Sequence, residues 1–301
     1  MHAIQTQFLT KTYGSTPVVK GINLIVEEGE VFGFLGRNGA GKSTFINMLT
    51  GITHPTSGSF SLLGIDGPNE NVKKLVGVMP DYSTLFNSMS AINQLKYLSS
   101  LSGVPVSNAD CEHVLKLVGL EETGKKKVSK FSFGMKKKLG IAQAIIHNPS
   151  LIFLDEPTSG LDAESALHIH KLIVSLQQQG KTIFMTSHNL NEVEKICTTI
   201  AIMKDGSIVK SGTIEELRAF YRSTITVELK HELIPPSEAT KLDTWLETVG
   251  SELQQTSSTT TITVSSEQKI AEIIRAFTHC QVDILRVGVS ELSLEEMFLA
   301  E

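Results

Sequence analysis

The sequence predicts an α/β chain followed by a small α+β unit, and three features of its 301 residues carry that prediction. An apolar strand ending near Phe34 feeds the glycine-rich segment GRNGAGKST at 36–44, which opens a helix. Between 151 and 213, strands of fully buried type alternate with amphipathic helices, the order that builds a mainly parallel sheet covered by helices. Beyond Arg222 the order becomes β-α-β-β-α-β, the ferredoxin-like arrangement. The chain exceeds the ~100–200 residues usual for one domain. The expected division is a larger domain at 1–221 and an α+β accessory domain at 222–301.

Hydrophobic residues make up 41% of the chain and charged residues 20%, a balance that supports a packed core and excludes a disordered or fibrous protein. No apolar run approaches the roughly 18 residues that a membrane-spanning helix needs, and residues 1–10 lack the basic start and apolar stretch of a signal peptide. A cytosolic chain that does not itself cross a membrane is expected. Cys111, Cys197 and Cys280 are far apart and form no Cys-x-x-Cys pair, so neither a zinc site nor a disulfide framework is indicated and buried thiols are expected. Charge is unevenly placed. Residues 1–221 carry 21 Lys and Arg against 19 Asp and Glu, and residues 222–301 carry 6 against 13. Duplex nucleic acid usually requires a basic footprint, so an acidic tail domain argues against that partner. The runs Lys125-Lys126-Lys127 and Lys136-Lys137-Lys138 read as solvated helix faces, with a DNA-binding patch as the alternative.

In chain order, GINLIVEEGEVFGF at 21–34 reads as two strands around the turn Glu28-Gly29-Glu30. A helix follows at 42–50, with Phe45, Ile46, Met48 and Leu49 toward a core and Gly51 as its stop. Pro55-Thr56-Ser57-Gly58 is a turn. Helical periodicity between 88 and 120 predicts an inserted helical region, and a further helix is expected at 134–147 before Asn148-Pro149. The remaining large-domain segments are LIFLDE, DAESALHIHKLIVSLQQQ, TIFMTS, NEVEKIC and a hairpin around Asp205-Gly206. Thr213-Ile214-Glu215-Glu216 reads as a capping box for a short helix ending near Phe220. A last short amphipathic helix is expected at 294–299, with Leu294, Met297 and Phe298 on one side.

Gly36-x4-Gly41-Lys42-Ser43, between an apolar strand and a helix, is a P-loop. Its glycines let backbone N–H groups curl around phosphate oxygens, and the helix N-terminus adds partial positive charge. Lys42 reaches the β- and γ-phosphates and Ser43 offers a hydroxyl to Mg²⁺. LIFLDE at 151–156 is an apolar strand ending in two acids, placed where open α/β sheets bind ligands. Asp155 would hold Mg²⁺ through water, and Glu156 would polarise an attacking water.

The set GRNGAGKST at 36–44, SFGM at 132–135, LIFLDEP at 151–157, SGLD at 159–162 and TSH at 186–188, in this order and spacing, resembles the ATPase subunit of an ABC transporter over about residues 3–220. The resemblance implies an ABC-type P-loop NTPase core, with a parallel sheet, an antiparallel β subdomain and an inserted helical subdomain at about 87–148. It implies that ATP and Mg²⁺ are held by Gly36, Asn38, Gly39, Ala40, Gly41, Lys42, Ser43 and Thr44. It further implies that Ser132, Gly134 and Met135 bind ATP held by the P-loop of a second copy of the chain, so that sites form only in an ATP-sandwich homodimer. His188 would contact the γ-phosphate, and Asp162 would work at the dimer seam. Tyr13, 23 residues before Gly36, matches the aromatic on which adenine stacks, with an ordinary core tyrosine as the alternative. His168 and His170 match no motif and read as structural. Phe133 stands where the family usually has Gly, and Asp81 where it usually has the metal-binding Gln.

Residues 222–301, ending in SLEEMFLAE, resemble the extension on ATPase subunits of bacterial exporters for drugs, antibiotic peptides and polysaccharides. The expected protein is therefore an exporter ATPase at the cytoplasmic face of a bacterial membrane, partnered by separate transmembrane permease subunits. Glu156, His188 and Lys42 are its expected catalytic residues, and Ser43, Asp81 and Asp155 its expected metal ligands. The alternative is a soluble ABC-type ATPase serving ribosomes, DNA or cluster assembly. One uninterrupted cassette and an acidic tail speak against it.

Overall fold

The computed structural model describes residues 1–80, 84–221 and 225–291. Asp81 and the helix expected at 294–299 lie outside the described residues. The chain forms two compact units, Met1–Ile214 and Glu215–Glu301.

The first unit is built on a six-stranded sheet, ordered β10 (Ser207–Thr213), β9 (Thr199–Lys204), β3 (Val31–Leu35), β8 (Thr182–Ser187), β7 (Leu151–Asp155) and β6 (Val76–Val78). All neighbouring pairs are parallel except β9 with β10. Strands covered on both faces need apolar residues at nearly every position. Accordingly β3 and β8 are buried throughout, and β7 is buried until Asp155. Phe184 of β8 is the centre of the packing. Ring centroids of Phe32, Phe34, Phe45 and Phe153 lie 5.5, 5.4, 6.1 and 5.5 Å from its own. Such pairs contribute about 0.5–1.5 kcal/mol each beyond area burial, and they fix β3, β7 and β8 side by side.

Three helices accompany this sheet at the site end: α1 (Lys42–Leu49) after β3, α5 (Ala163–Gln178) after β7 and α6 (Leu190–Ile196) after β8. An antiparallel sheet, β2 (Thr16–Glu27), β1 (His2–Tyr13), β4 (Ser57–Leu62) and β5 (Ile65–Asp66), shares its apolar cluster with Phe34, Phe45 and Met203. The inserted helical region comprises α2 (Ala91–Leu101), α3 (Asn108–Leu117) and α4 (Phe133–Ile145), capped by the side chains of Ser90, Ser107 and Ser132. Ser132 accounts for α4 starting one residue before the expected Gly134. Its side chain accepts from Met135 N, a contact that fixes Phe133 as the first helical residue. The Asp205-Gly206 hairpin has positive φ at both turn residues, as a two-residue turn between twisted strands requires.

The second unit contains α7 (Ile214–Tyr221) for most of its length, then β11 (Ile225–His231), α8 (Pro236–Val249), β12 (Ser251–Gln255), β13 (Thr259–Val264), α9 (Glu267–His279) and β14 (Ile284–Glu291). Its antiparallel sheet is ordered β12-β13-β11-β14, the ferredoxin-like order expected from the pattern. Val227, Leu229, Leu246, Ile262, Ile273 and Phe277 form a separate dry core. Cys111 and Cys197 are buried, but Cys280 caps the end of α9 and is only half-buried, which corrects the expectation of three buried thiols. Among the described residues no helix is long and apolar enough to cross a membrane.

Candidate functional site

The loop 36–41 links β3 to α1, and two glycines are forced by geometry. Gly41 precedes α1 with φ 108°, and an added Cβ would meet Val18 O at 2.7 Å. A Cβ on Gly36 would meet Met203 O at 2.6 Å. The loop therefore lies flat on the sheet end and on the β9–β10 hairpin. Asn38, Gly39, Ala40, Gly41, Lys42, Ser43 and Thr44 line a cavity of about 950 Å³, together with Val18, Phe133, Lys137, Asp155, Glu156 and Ser159.

Lys42 is buried, and its ammonium donates to the carbonyls of Gly36 at 2.6 Å and Arg37 at 3.3 Å. It also stands 3.8 Å from Glu156 Oε1. Ser43 donates to Asp155 Oδ2 at 2.8 Å. Hydroxyl and carboxylate thus present two hard oxygens at one edge of the cavity, a donor pair suited to Mg²⁺. The other oxygen of Asp155 accepts from Thr186, which lies directly opposite it in the β7–β8 register.

Glu156 has φ 51°, a left-handed backbone uncommon outside glycine. Its N–H donates to Thr186 Oγ1 at 2.9 Å, which holds the turn. His188, just beyond β8, donates from Nδ1 to Glu156 Oε2 at 2.6 Å, while Oε1 is buried with no hydrogen-bond partner. A carboxylate with one oxygen held by His188 and the other lacking a hydrogen-bond partner, 3.8 Å from the Lys42 ammonium, can accept a proton from a water that reaches it.

The remaining predicted residues do not line this cavity. Tyr13, at the end of β1, is half exposed, and the Lys11 ammonium sits 4.9 Å from its ring centroid. Ser132 caps α4, with Gly134 and Met135 in the first turn. Asp162 caps α5 by accepting from Ser165 N at 2.8 Å, and that hydrogen bond holds its carboxyl below the ordinary value. Sequence reasoning missed Thr186, Lys137, Thr158 and Glu192. Lys137, in the second turn of α4, is buried and not on a solvated face as expected, and it donates to Ser159 O at 2.6 Å. Burial pushes its pKa down, against the nearby carboxylates of Glu156 and Asp155, which pull it up. Thr186 was accessible in principle, because pairing LIFLDE against TIFMTS sets it beside Asp155.

Phe133 resolves one departure from the family pattern. It is the first residue of a right-handed helix and is not among the residues of positive φ. The position therefore accepts a side chain. The ring lies over Gly160, where an added Cβ would come within 2.6 Å of it, and 5.6 Å from the Lys137 ammonium.

Residues 19–159 match the family model described as ABC transporter. The chain is 32% identical to the bacitracin transport ATP-binding protein BcrA of Bacillus licheniformis, over 98% of this chain and 96% of that protein. It is 36% identical to the protein of the same name from Enterococcus faecalis, over 99% and 95%. Among solved structures, a dimeric ATP-binding cassette, MJ0796, in a post-hydrolysis state with ADP and Pi, matches with a TM-score of 0.66. It is 24% identical and covers 70% of this chain and 98% of that one, a likeness of fold. A loop shaped for phosphates, a strand ending in Asp155 and Glu156, and relatives matched along nearly their whole length agree: the chain belongs to the ATP-binding subunits of ABC transporters and is an ATPase.

Proposed function

We propose that two copies of this chain close on ATP beneath separate membrane-spanning subunits, at the cytoplasmic face of a bacterial membrane. The cycle drives export of drugs, antibiotic peptides or similar amphiphiles. The transport of bacitracin named for two relatives supports the cargo class. The observation that carries the reading is the Glu156 carboxylate, held by His188 through one oxygen and bare on the other, 3.8 Å from the Lys42 ammonium.

In this reading Lys42 leaves the carbonyls of Gly36 and Arg37 for the β- and γ-phosphates, and the backbone N–H groups of residues 38–44 surround them. Ser43 and Asp155 hold Mg²⁺, which when bound neutralises charge on the phosphate oxygens. Glu156 Oε1 accepts the proton of the attacking water. His188 orients that carboxylate and presents its ring to the γ-phosphate. Ser132, Gly134 and Met135 supply the start of α4, and Asp162 its seam contact, to ATP bound by the partner copy. Tyr13 stacks on adenine.

Glu156→Gln is the decisive variant. It keeps the shape and removes the base, so ATP affinity is expected to persist and a closed dimer to accumulate, while turnover falls at least ~100-fold. Turnover near wild type would show that the base lies elsewhere. In cells, the chain is expected in the membrane fraction only when its spanning subunits are co-expressed. Stable ribosome or DNA binding without them would overturn the transporter assignment.

A further inference from the structure

We infer that Glu192 is a positioning residue that fixes the Glu156–His188 pair, by gripping from one buried carboxylate the two chain segments that carry them. The inference rests on the reading of Glu156 and His188 proposed above. Glu192 lies in the first turn of α6 and is only 9% exposed. Its Oε1 accepts from Thr158 Oγ1 and, at 2.7 Å, from His170 Nε2. Its Oε2 accepts from Ser187 Oγ at 3.0 Å. Thr158 follows Glu156 by two residues, and Ser187 immediately precedes His188. One side chain therefore joins the loop after β7, the end of β8 and, through His170, helix α5.

The energetics show that this carboxylate is held for its bonds. A buried carboxylate is costly unless its oxygens are satisfied, and apolar packing alone would be served better by leucine. Burial raises the Glu192 pKa, but hydrogen bonds from His170, Thr158 and Ser187 outweigh it and keep the group ionised. Glu156, meanwhile, carries a left-handed backbone. Such a conformation is strained and persists only where its surroundings over-determine it. Thr186 secures it from the N–H side, and Thr158, tied to Glu192, secures the loop beyond. Without Glu192 the loop is free to relax, and the carboxylate of Glu156 loses its alignment with His188. ATP contacts made by loop 36–44 do not involve Glu192, so binding and turnover should separate.

The experiment compares Glu192→Ala, Glu192→Gln and Thr158→Val in the full chain assembled with its membrane subunits. ATPase kcat and KM, affinity for a fluorescent ATP analogue and the thermal midpoint are measured for each. Glu192→Ala is expected to lower kcat at least tenfold, with KM and affinity within threefold of wild type. Glu192→Gln keeps a bonding group toward Thr158 and Ser187 and should restore kcat to within threefold. Thr158→Val should lose part of what Glu192→Ala loses, and adding it to Glu192→Ala should cost nothing further. If Glu192→Ala fails to assemble, Thr158→Val decides: unchanged kcat overturns the inference. It is equally overturned if Glu192→Ala keeps wild-type kcat, or if kcat, affinity and midpoint all fall together in Glu192→Ala and Thr158→Val. Loss of turnover in Glu156→Gln beside normal turnover in Glu192→Ala removes this inference alone. Normal turnover in Glu156→Gln removes the reading beneath it.

Discussion

Replacing Phe133 by Gly restores the residue usual in the family, and the structure predicts a loss of stability and no large gain in activity. The ring is 44% exposed. With ~150–250 Å² for a wholly buried phenylalanine, about 100 Å² is covered, worth ~2.5 kcal/mol at about 25 cal/mol per Å². The Lys137 ammonium over the ring adds about 0.5–1 kcal/mol, and glycine in the first turn of α4 costs up to ~1 kcal/mol. The unfolded chain already hides part of this surface, so a net loss near 3 kcal/mol is expected. At about 2–4 °C per kcal/mol for a unit of this size, the midpoint should fall by ~6–12 °C. Thermal unfolding and ATPase activity of the assembled complex, at a temperature where both proteins are folded, check the two parts. Turnover should remain within tenfold, because the donors at the start of α4 are backbone N–H groups present with either residue. A gain of about a hundredfold, or 2.7 kcal/mol in the barrier, would refute the reasoning and show that the ring obstructs the partner's nucleotide. An unchanged midpoint would refute the packing.

Lys42→Ala should abolish productive ATP binding, read by titration with a fluorescent analogue, since the only buried cation in loop 36–44 is removed. Glu192 has a depressed folded-state pKa, so its stabilisation is complete above the ordinary glutamate value of about 4.3 and is lost as pH falls below it. Thermal midpoints should therefore fall more steeply below about pH 4.5 in wild type than in Glu192→Gln; parallel curves would contradict the assignment. Deleting 222–301 should leave a soluble cassette that binds ATP, because the two units have separate apolar cores. Aggregation or lost nucleotide affinity would show that the tail completes the first core.

The fold was legible where burial dictates composition. LIFLDE and TIFMTS can only be strands covered on both faces, and the β-α-β-β-α-β order of the tail predicted its strand neighbours without knowledge of any contact. The P-loop and strand acids were legible because their chemistry is local in sequence. Lys137 and Glu192 were not, since each reads as an ordinary solvated position in a polar stretch. Lys137 lies within a tri-lysine run, and only the fold shows it buried against Ser159 while its neighbours Lys136 and Lys138 are not. Glu192 becomes a hub only when α5, the loop after β7 and the end of β8 meet, which is a tertiary fact with no periodic trace. Phe133 was visible as a departure, but its consequence depended on the sign of φ, and that was settled by the Ser132 cap.

The contacts around Lys42 also bear on why the proposed cycle takes two copies. Its ammonium is already committed to two carbonyls and attracted by Glu156, and the Ser43 hydroxyl is committed to Asp155. A γ-phosphate arriving at a single copy exchanges these bonds for new ones, so part of its intrinsic attraction is offset by what it displaces. A ligand shifts a conformational equilibrium only by its differential affinity for the two states, and a swing from 1:99 to 99:1 needs about 5.5 kcal/mol. Exchange within one copy supplies little that distinguishes open from closed, because the same groups are present in both. Contacts that exist only on closure must supply the difference. The proposed dimer would draw them from the start of α4, where the helix dipole favours negative charge. In the proposed dimer, the start of α4, whose Phe133 lines the cavity, and a phosphate site that has its own internal partners would together make closure depend on the phosphate that hydrolysis removes.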